Sequence, residues 1–289
     1  MLRQRLFFGA LMTLVFSALA ILDGWLDGSL TGAYSDDRQI QGTIVAILVA
    51  SLMIPANLEL AGLAAAKQLK IFAPVSIASC MIIVTGWYWS QFIPPSICYS
   101  LPAILALMPV VLLLYQYLTL GTSSVLANCG ATAFSVLYLA GLGAFVIAIR
   151  IDFGIWAMLM FVFVIKCSDI GAYAGGTLFG RHKFSPHISP GKTWEGMAAA
   201  IGTAVVVAMA FAALSGIMAC WLAALFGICF AFIGQMGDLA ESMIKRDAKK
   251  KDSDDKVPGF GGVLDIIDSP LLAAPFAYVF FALAAGTKA

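Results

Sequence analysis

The 289-residue chain is 61% hydrophobic and 11% charged, with a net charge of +1 and a mean hydropathy of +0.95. A water-soluble domain carries about a quarter charged residues, so a soluble globular protein is excluded. The near-zero net charge names no partner by itself, and nucleic acid is not an expected one.

A membrane-spanning helix needs about 20 mainly apolar residues, and nine candidate spans meet this pattern: 6–22, 40–57, 71–90, 99–118, 125–149, 153–170, 197–217, 219–237 and 270–285. The expected fold is all-α, a polytopic helical bundle. The first span is short and follows Arg3 and Arg5. Ala18-Leu19-Ala20 matches a signal-peptidase site, and cleavage there would leave eight spans and the same sidedness. The seventh and eighth are separated by little more than Ser215-Gly216 and Cys220-Trp221, which predicts a tight hairpin. Residues 1–150 form an N-terminal region of five spans. Residues 151–289 form a second region with polar inner segments 166–195 and 238–269. The six cysteines, at 80, 98, 129, 167, 220 and 229, form no CxxC pair. They read as small buried hydrophobes rather than metal ligands or disulfides.

With the N-terminus in the cytoplasm, fourteen of the seventeen Lys and Arg residues fall on inner segments, leaving Arg38, Arg150 and Lys288 outside. That asymmetry is a positive-inside pattern. The first outer loop, with Asp23, Asp27, Asp36 and Asp37, reads as a solvated face. Among the inner pieces, 57–70 reads as an interfacial helix carrying Glu59.

Nearly all other polar residues lie on two inner segments. In the first, Ser168 and Asp169 end an apolar run, where an acid needs hydration, a partner or a cation. Gly171, Gly175, Gly176 and Gly180 suit close helix packing or a bent backbone. Ser189 to Gly196 reads SPGKTWEG. Gly-Lys-Thr resembles part of a phosphate-binding loop, but position 186 is proline and no strand precedes it, so a P-loop NTPase is not expected. A Pro-Gly turn opening a helix still offers backbone N–H groups to an anion, with Lys192 adding charge and Thr193 a hydroxyl. Glu195 could instead cap the helix near Thr193. His182 and His187 read as surface residues. The second segment places Asp238, Glu241 or Ser242, and Lys245 at helical spacing on one face. The run KKKDSDDK is a solvated loop or a contact for anionic lipid. Asp265 and Asp268 share a face of a helix starting near Val263, and with Asp238 they make three carboxylates on one rim. Such an oxygen-only set suits Mg²⁺.

SDIGAYAGGTLFGRHKFSPHISPGKTWEG, GQMGDLAESMIKRDAKKKD and PGFGGVLDIIDS together resemble the phosphatidate cytidylyltransferases, or CDP-diacylglycerol synthases, most specifically over 166–270. Ser242, Lys245, Arg246, Lys251, Asp252, Pro258, Gly261, Gly262, Asp265 and Asp268 match that family's signature. Phe260 and Ile266 stand where the signature has His and Arg, and Asp254 where it has a small residue. The resemblance implies a polytopic, dimeric, Mg²⁺-dependent enzyme that condenses CTP with phosphatidic acid, releasing pyrophosphate. Its site would face the cytoplasm, in a bacterial inner membrane. It implies catalytic roles for Asp238, Asp265, Lys192 and Lys245, and metal ligation by Asp238, Asp265 and Asp268. Substrate contacts would come from Ser168, Asp169, Ser189, Thr193, Ser242, Arg246, Lys251, Asp252, Gly261 and Gly262. Phe260 and Ile266 leave open a cytidylyltransferase or CTP-dependent kinase acting on another lipid, such as an isoprenoid, or a catalytically impaired relative. A transporter is disfavoured because the spans hold almost no acids in their middles.

Overall fold

The computed structural model describes residues 2–30, 40–93, 101–254 and 261–286. Asp36, Asp37, Arg38, Cys98, Pro258, Phe260 and Lys288 lie outside them. Helices α1 (Leu2–Leu26), α2 (Thr43–Ala65), α3 (Ala73–Val84), α4 (Gly86–Ser90) and α5 (Leu101–Leu120) are followed by α6 (Val125–Val136), which runs through a π-helical turn at Leu137–Gly141 into α7 (Leu142–Phe179). Helices α8 (Trp194–Ser215), α9 (Cys220–Asp247) and α10 (Leu264–Gly286) complete the chain. Among the described residues the one β contact is an isolated bridge between Lys183 and Thr193.

Large apolar side chains point outward along the helices: Leu126 is 90% exposed and Leu214 88%. Such a surface is stable against lipid and not against water. Five helical segments are long and apolar enough to cross a bilayer: Thr43–Ala65, Val125–Phe179, Trp194–Ser215, Cys220–Asp247 and Leu264–Ala285. The chain is an integral membrane protein. Leu11–Leu26, Ala73–Val84 and Ala106–Leu120 are shorter apolar helices.

The Val125–Phe179 segment holds two of the predicted spans, 125–149 and 153–170. No loop separates them. The helix turns back on itself at Gly154, whose φ of 84° and ψ of 177° are open only to a residue without Cβ. Packing shows the reversal. Ile165 packs at Gly234 of α9, and Gly143 at Leu271 of α10. Helices α9 and α10 are antiparallel, since Gly237 adjoins Ser269 while Phe226 stacks near Phe281. The two halves of the long segment therefore run in opposite directions.

Helix α7 packs most closely on α8. A Cβ on Gly171 would lie 3.0 Å from the Ala199 carbonyl, and one on Gly196 2.8 Å from that of Ala172, so these small residues let two backbones touch. The aromatic core lies deeper, where Phe226 and Phe230 stack with centroids 4.0 Å apart and Phe161 meets Phe230 edge-on.

The end of the bundle beside Gly154 is closed by ion-paired side chains. Asp23 and Asp27 are 2% and 5% exposed, which corrects the expectation that they belong to a solvated face. Both bind the fully buried Arg150: its Nε donates to Asp23 at 2.8 Å and its Nη2 to Asp27. Asp23 also accepts the backbone N–H of Ile44 at 2.7 Å, capping α2 with a negative charge where the helix dipole favours one. Cys220 is exposed, contrary to its reading as a buried hydrophobe.

Candidate active site

The polar residues collect at the other end. Both inner segments open as helix. Helix α7 continues to Phe179, so the 166–195 segment is helical for its first half, and α9 continues to Asp247. Charged residues end an apolar run without ending a helix, since Lys, Arg and Glu are good helix formers. The site is assembled from the C-terminal parts of α7 and α9, the start of α10 and the turn that opens α8.

The face of α9 predicted from spacing is present. The Ser242 hydroxyl lies 3.4 Å from Asp238, and the Lys245 ammonium pairs with Glu241 at 2.5 Å. Lys245 also binds Asp265 across on α10. Glu241 is wholly buried, and neither of its oxygens accepts another hydrogen bond among the described residues.

Carboxylate oxygens of Asp238, Glu241 and Asp268 lie within 4.8 Å of one another. Two oxygens opposite each other around Mg²⁺ at 2.0–2.1 Å are about 4.2 Å apart, so small side-chain rotations would let this set close on the ion. The predicted set of Asp238, Asp265 and Asp268 differs by one member. The structure brings Asp238 and Asp268 together with Glu241. It holds Asp265 by Lys245, by the backbone N–H of Gly262 at 2.8 Å, and by the Ser253 N–H and hydroxyl at 3.0 and 2.8 Å. Asp265 thus anchors the turn ahead of α10.

That turn has a partner that sequence reasoning missed. Glu59 of α2, 3% exposed, accepts from the N–H groups of Val263 and Leu264 at 2.9 and 2.8 Å and from the Ser253 hydroxyl at 2.9 Å. It caps α10 from a helix some two hundred residues earlier, across the expected division at residue 150. It replaces the reading of Glu59 as part of an interfacial helix. Gly262 is packed beneath it, because a Cβ there would run into the Glu59 carboxylate and the Ser253 hydroxyl. Gly261 has a φ of 100°. Both glycines make room for the turn's own side chains.

The SPGKT turn also differs from expectation. Several backbone donors in and just after it are taken up internally: Ser189 N–H by Ser185 O at 3.0 Å, Lys192 N–H by Ser189 O at 3.1 Å, Trp194 N–H by His182 O at 2.9 Å, and Met197 N–H by Thr193 O at 3.0 Å. Thr193 caps α8 by accepting from Gly196 N–H at 3.1 Å. Glu195 turns away to take the N–H groups of Arg181 and His182 at 3.1 and 3.2 Å, as well as the imidazole of the exposed His182 at 2.6 Å. The Lys192 ammonium reaches the site. It pairs with Asp238 at 2.8 Å and donates to the Gln235 carbonyl at 2.9 Å. The Gln235 amide in turn donates to Asp169 at 3.2 Å.

Of the remaining predicted residues, Ser168 is fully buried beside Asp169. Ser189 supplies a turn carbonyl, while Arg246 reaches the Ile188 and Lys250 carbonyls at 3.4 and 3.3 Å. Lys251 and Asp252 are exposed in the loop after α9. None of these last four touches the carboxylate group.

A model of the Cytidylyltransferase family matches residues 39–284. The chain belongs to that family. The chain is 38% identical over 128 residues to the phosphatidate cytidylyltransferase of Mycobacterium tuberculosis strain H37Rv, covering 44% of this chain and 39% of the relative. It is 40% identical over 130 residues to that of Haemophilus influenzae, covering 43% and 45%, and 38% identical over 135 residues to that of Brucella suis, covering 45% and 48%. Each match spans less than half the relative's length. In this member of the family, three carboxylates and two lysines cluster at the polar end of an apolar bundle, an arrangement that can neutralise phosphates and hold a divalent cation.

Proposed function

We propose that the chain is a phosphatidate cytidylyltransferase, converting CTP and phosphatidic acid to CDP-diacylglycerol and pyrophosphate. The observation that carries this reading is the group of Asp238, Glu241 and Asp268, flanked by Lys192 and Lys245, where apolar helices give way to charge. Family membership and the names of its relatives support the same reaction. A phosphatidate oxygen attacks the α-phosphorus of CTP. The bond between the α-phosphorus and the bridging oxygen breaks, and pyrophosphate leaves with that electron pair. No covalent enzyme intermediate is needed.

The protein's part is positioning and charge neutralisation. Asp238, Glu241 and Asp268 would hold Mg²⁺, which when bound neutralises phosphate charge in the transition state. Lys192, now paired with Asp238, is placed to meet the triphosphate as it enters from water. Lys245 keeps Glu241 and Asp265 from repelling each other and fixes α9 against α10. Glu59 holds the turn that fixes α10. In this reading the site faces the cytoplasm from a bacterial inner membrane, and the active unit is a homodimer.

The test is an assay of the purified chain with Mg²⁺, phosphatidic acid and CTP labelled at either the α- or the γ-phosphate. The expected result is α-label in the lipid and γ-label in pyrophosphate, with incorporation lost in Asp238→Asn. γ-Label in the lipid would identify a kinase instead, and label in neither product would end the proposal.

A further inference from the structure

Lys166 belongs to none of the roles above, yet its ammonium group enters the site. Its Nζ donates to the backbone carbonyl of Ile266 at 2.6 Å and lies 3.9 Å from Asp169. Helix α10 has no basic residue of its own, so the cation that reaches its first turn comes from α7.

Its surroundings differ from those of the other two lysines. The Lys192 and Lys245 side chains are each 10% exposed and bind carboxylates at 2.8 and 2.5 Å. The Lys166 side chain is 35% exposed, and no carboxylate among the described residues is within hydrogen-bond distance of it. An ammonium has three N–H donors, and among the described residues Lys166 uses one. The spare donors and the exposure leave it free to bind an anion.

Position around α7 says which anion. Lys166, Ile170 and Tyr173 recur at helical spacing on one face, and Ile170 and Tyr173 are 67% and 59% exposed, so Lys166 stands on the lipid-facing flank of the bundle, whereas the more enclosed Lys192 and Lys245 lie within the carboxylate group. A nucleotide arrives from water, whereas a lipid phosphate arrives from the bilayer with its acyl chains still in it. A lysine at the end of an apolar run can extend its head to such a phosphate while its stem stays in lipid.

We propose that Lys166 binds the phosphate monoester of the lipid substrate as it enters from the membrane, and so sets affinity for the lipid but not for CTP. This rests on the reading of the chain as a lipid-phosphate cytidylyltransferase. The test compares K166M, K166Q and K166R with the wild type in the full chain reconstituted in nanodiscs. Glutamine can keep the hydrogen bond to the Ile266 carbonyl but has no charge, so it separates an anion-binding role from a link between α7 and α10. K166M and K166Q are expected to raise the KM for phosphatidic acid about tenfold or more, the scale of one charge-assisted contact. The KM for CTP should stay within about twofold, and K166R should remain near wild type. K166Q with an unchanged phosphatidate KM, or equal rises in both KM values, overturns the proposal. Should the wild type incorporate no CTP, the reaction reading fails. Titration of detergent-solubilised wild type and K166Q with short-chain phosphatidic acid, followed by tryptophan fluorescence, then decides Lys166 alone. Weaker binding by K166Q supports it and equal binding refutes it.

Discussion

Asp265 and Asp268 are three residues apart on one helix, yet they do different work. Asp265 accepts from Lys245, Ser253 and Gly262, whereas Asp268 turns to Asp238 and Glu241. Asparagine at each position should separate the two. Asp265→Asn removes the charge that Lys245 and the turn share, and a buried charge-assisted hydrogen bond is worth about 1.5–3 kcal/mol. We expect a lowered thermal midpoint in detergent and a loss of activity that follows the unfolding. Asp268→Asn should keep the wild-type midpoint and lose CTP incorporation by about a hundredfold or more. Fluorescence-monitored unfolding alongside the incorporation assay reads both effects, and equal midpoints for the two variants would contradict the division. Glu59→Gln belongs with Asp265. It weakens the cap on α10 by about 1–3 kcal/mol, so the chain just ahead of α10 should be cleaved faster by an added protease while the rest of the chain resists. Spacing alone made the two aspartates look equivalent, because periodicity reports which residues share a face and not what faces them. Nothing local marks Glu59 as the partner of Leu264, and helical spacing places Glu241 on the face of Asp238 and Lys245 without showing that Asp268 of α10 meets it there.

At the scale of single helices, hydropathy located the apolar segments but not where the helices end. Spans predicted to stop at 170 and 237 continue as helix to Phe179 and Asp247, since the transfer of a residue from lipid to water changes its solvent and not its backbone preference. The break predicted between 149 and 153 is a reversal carried by one residue. Gly154 adopts a φ of 84° with open space where a Cβ would be, so Gly154→Ala tests backbone conformation without steric collision. It should destabilise the chain by about 1–3 kcal/mol. Gly141 provides the contrast. It too has open space but a helical φ of −61°, and Gly141→Ala should be neutral or stabilising by about 0.5–1 kcal/mol. Thermal unfolding of the pair in the same detergent checks the difference. A midpoint for Gly154→Ala at or above that of Gly141→Ala would mean that the reversal does not depend on glycine.

Across the whole molecule, charge is arranged by end. Arg150 was counted among three basic residues on the outer side, but it is buried between Asp23 and Asp27 and cannot report on the membrane surface. Setting it aside strengthens the asymmetry, because the free basic residues then gather more completely at the end that carries the carboxylate group. Helix α9 joins the two ends. Its 28 residues rise about 42 Å, longer than the roughly 30 Å hydrocarbon core, so its charged C-terminal part stands clear of the bilayer. Its first residue, Cys220, is exposed, and Lys250 is exposed just past its last. A membrane-impermeant maleimide should label Cys220 on intact spheroplasts. In a Cys220→Ser background, Lys250→Cys should be labelled only in inverted vesicles, because the side with excess Lys and Arg stays in the cytoplasm. Labelling of Lys250→Cys on intact spheroplasts would place the carboxylate group away from cytoplasmic CTP, and would overturn the proposed sidedness while leaving the fold as described.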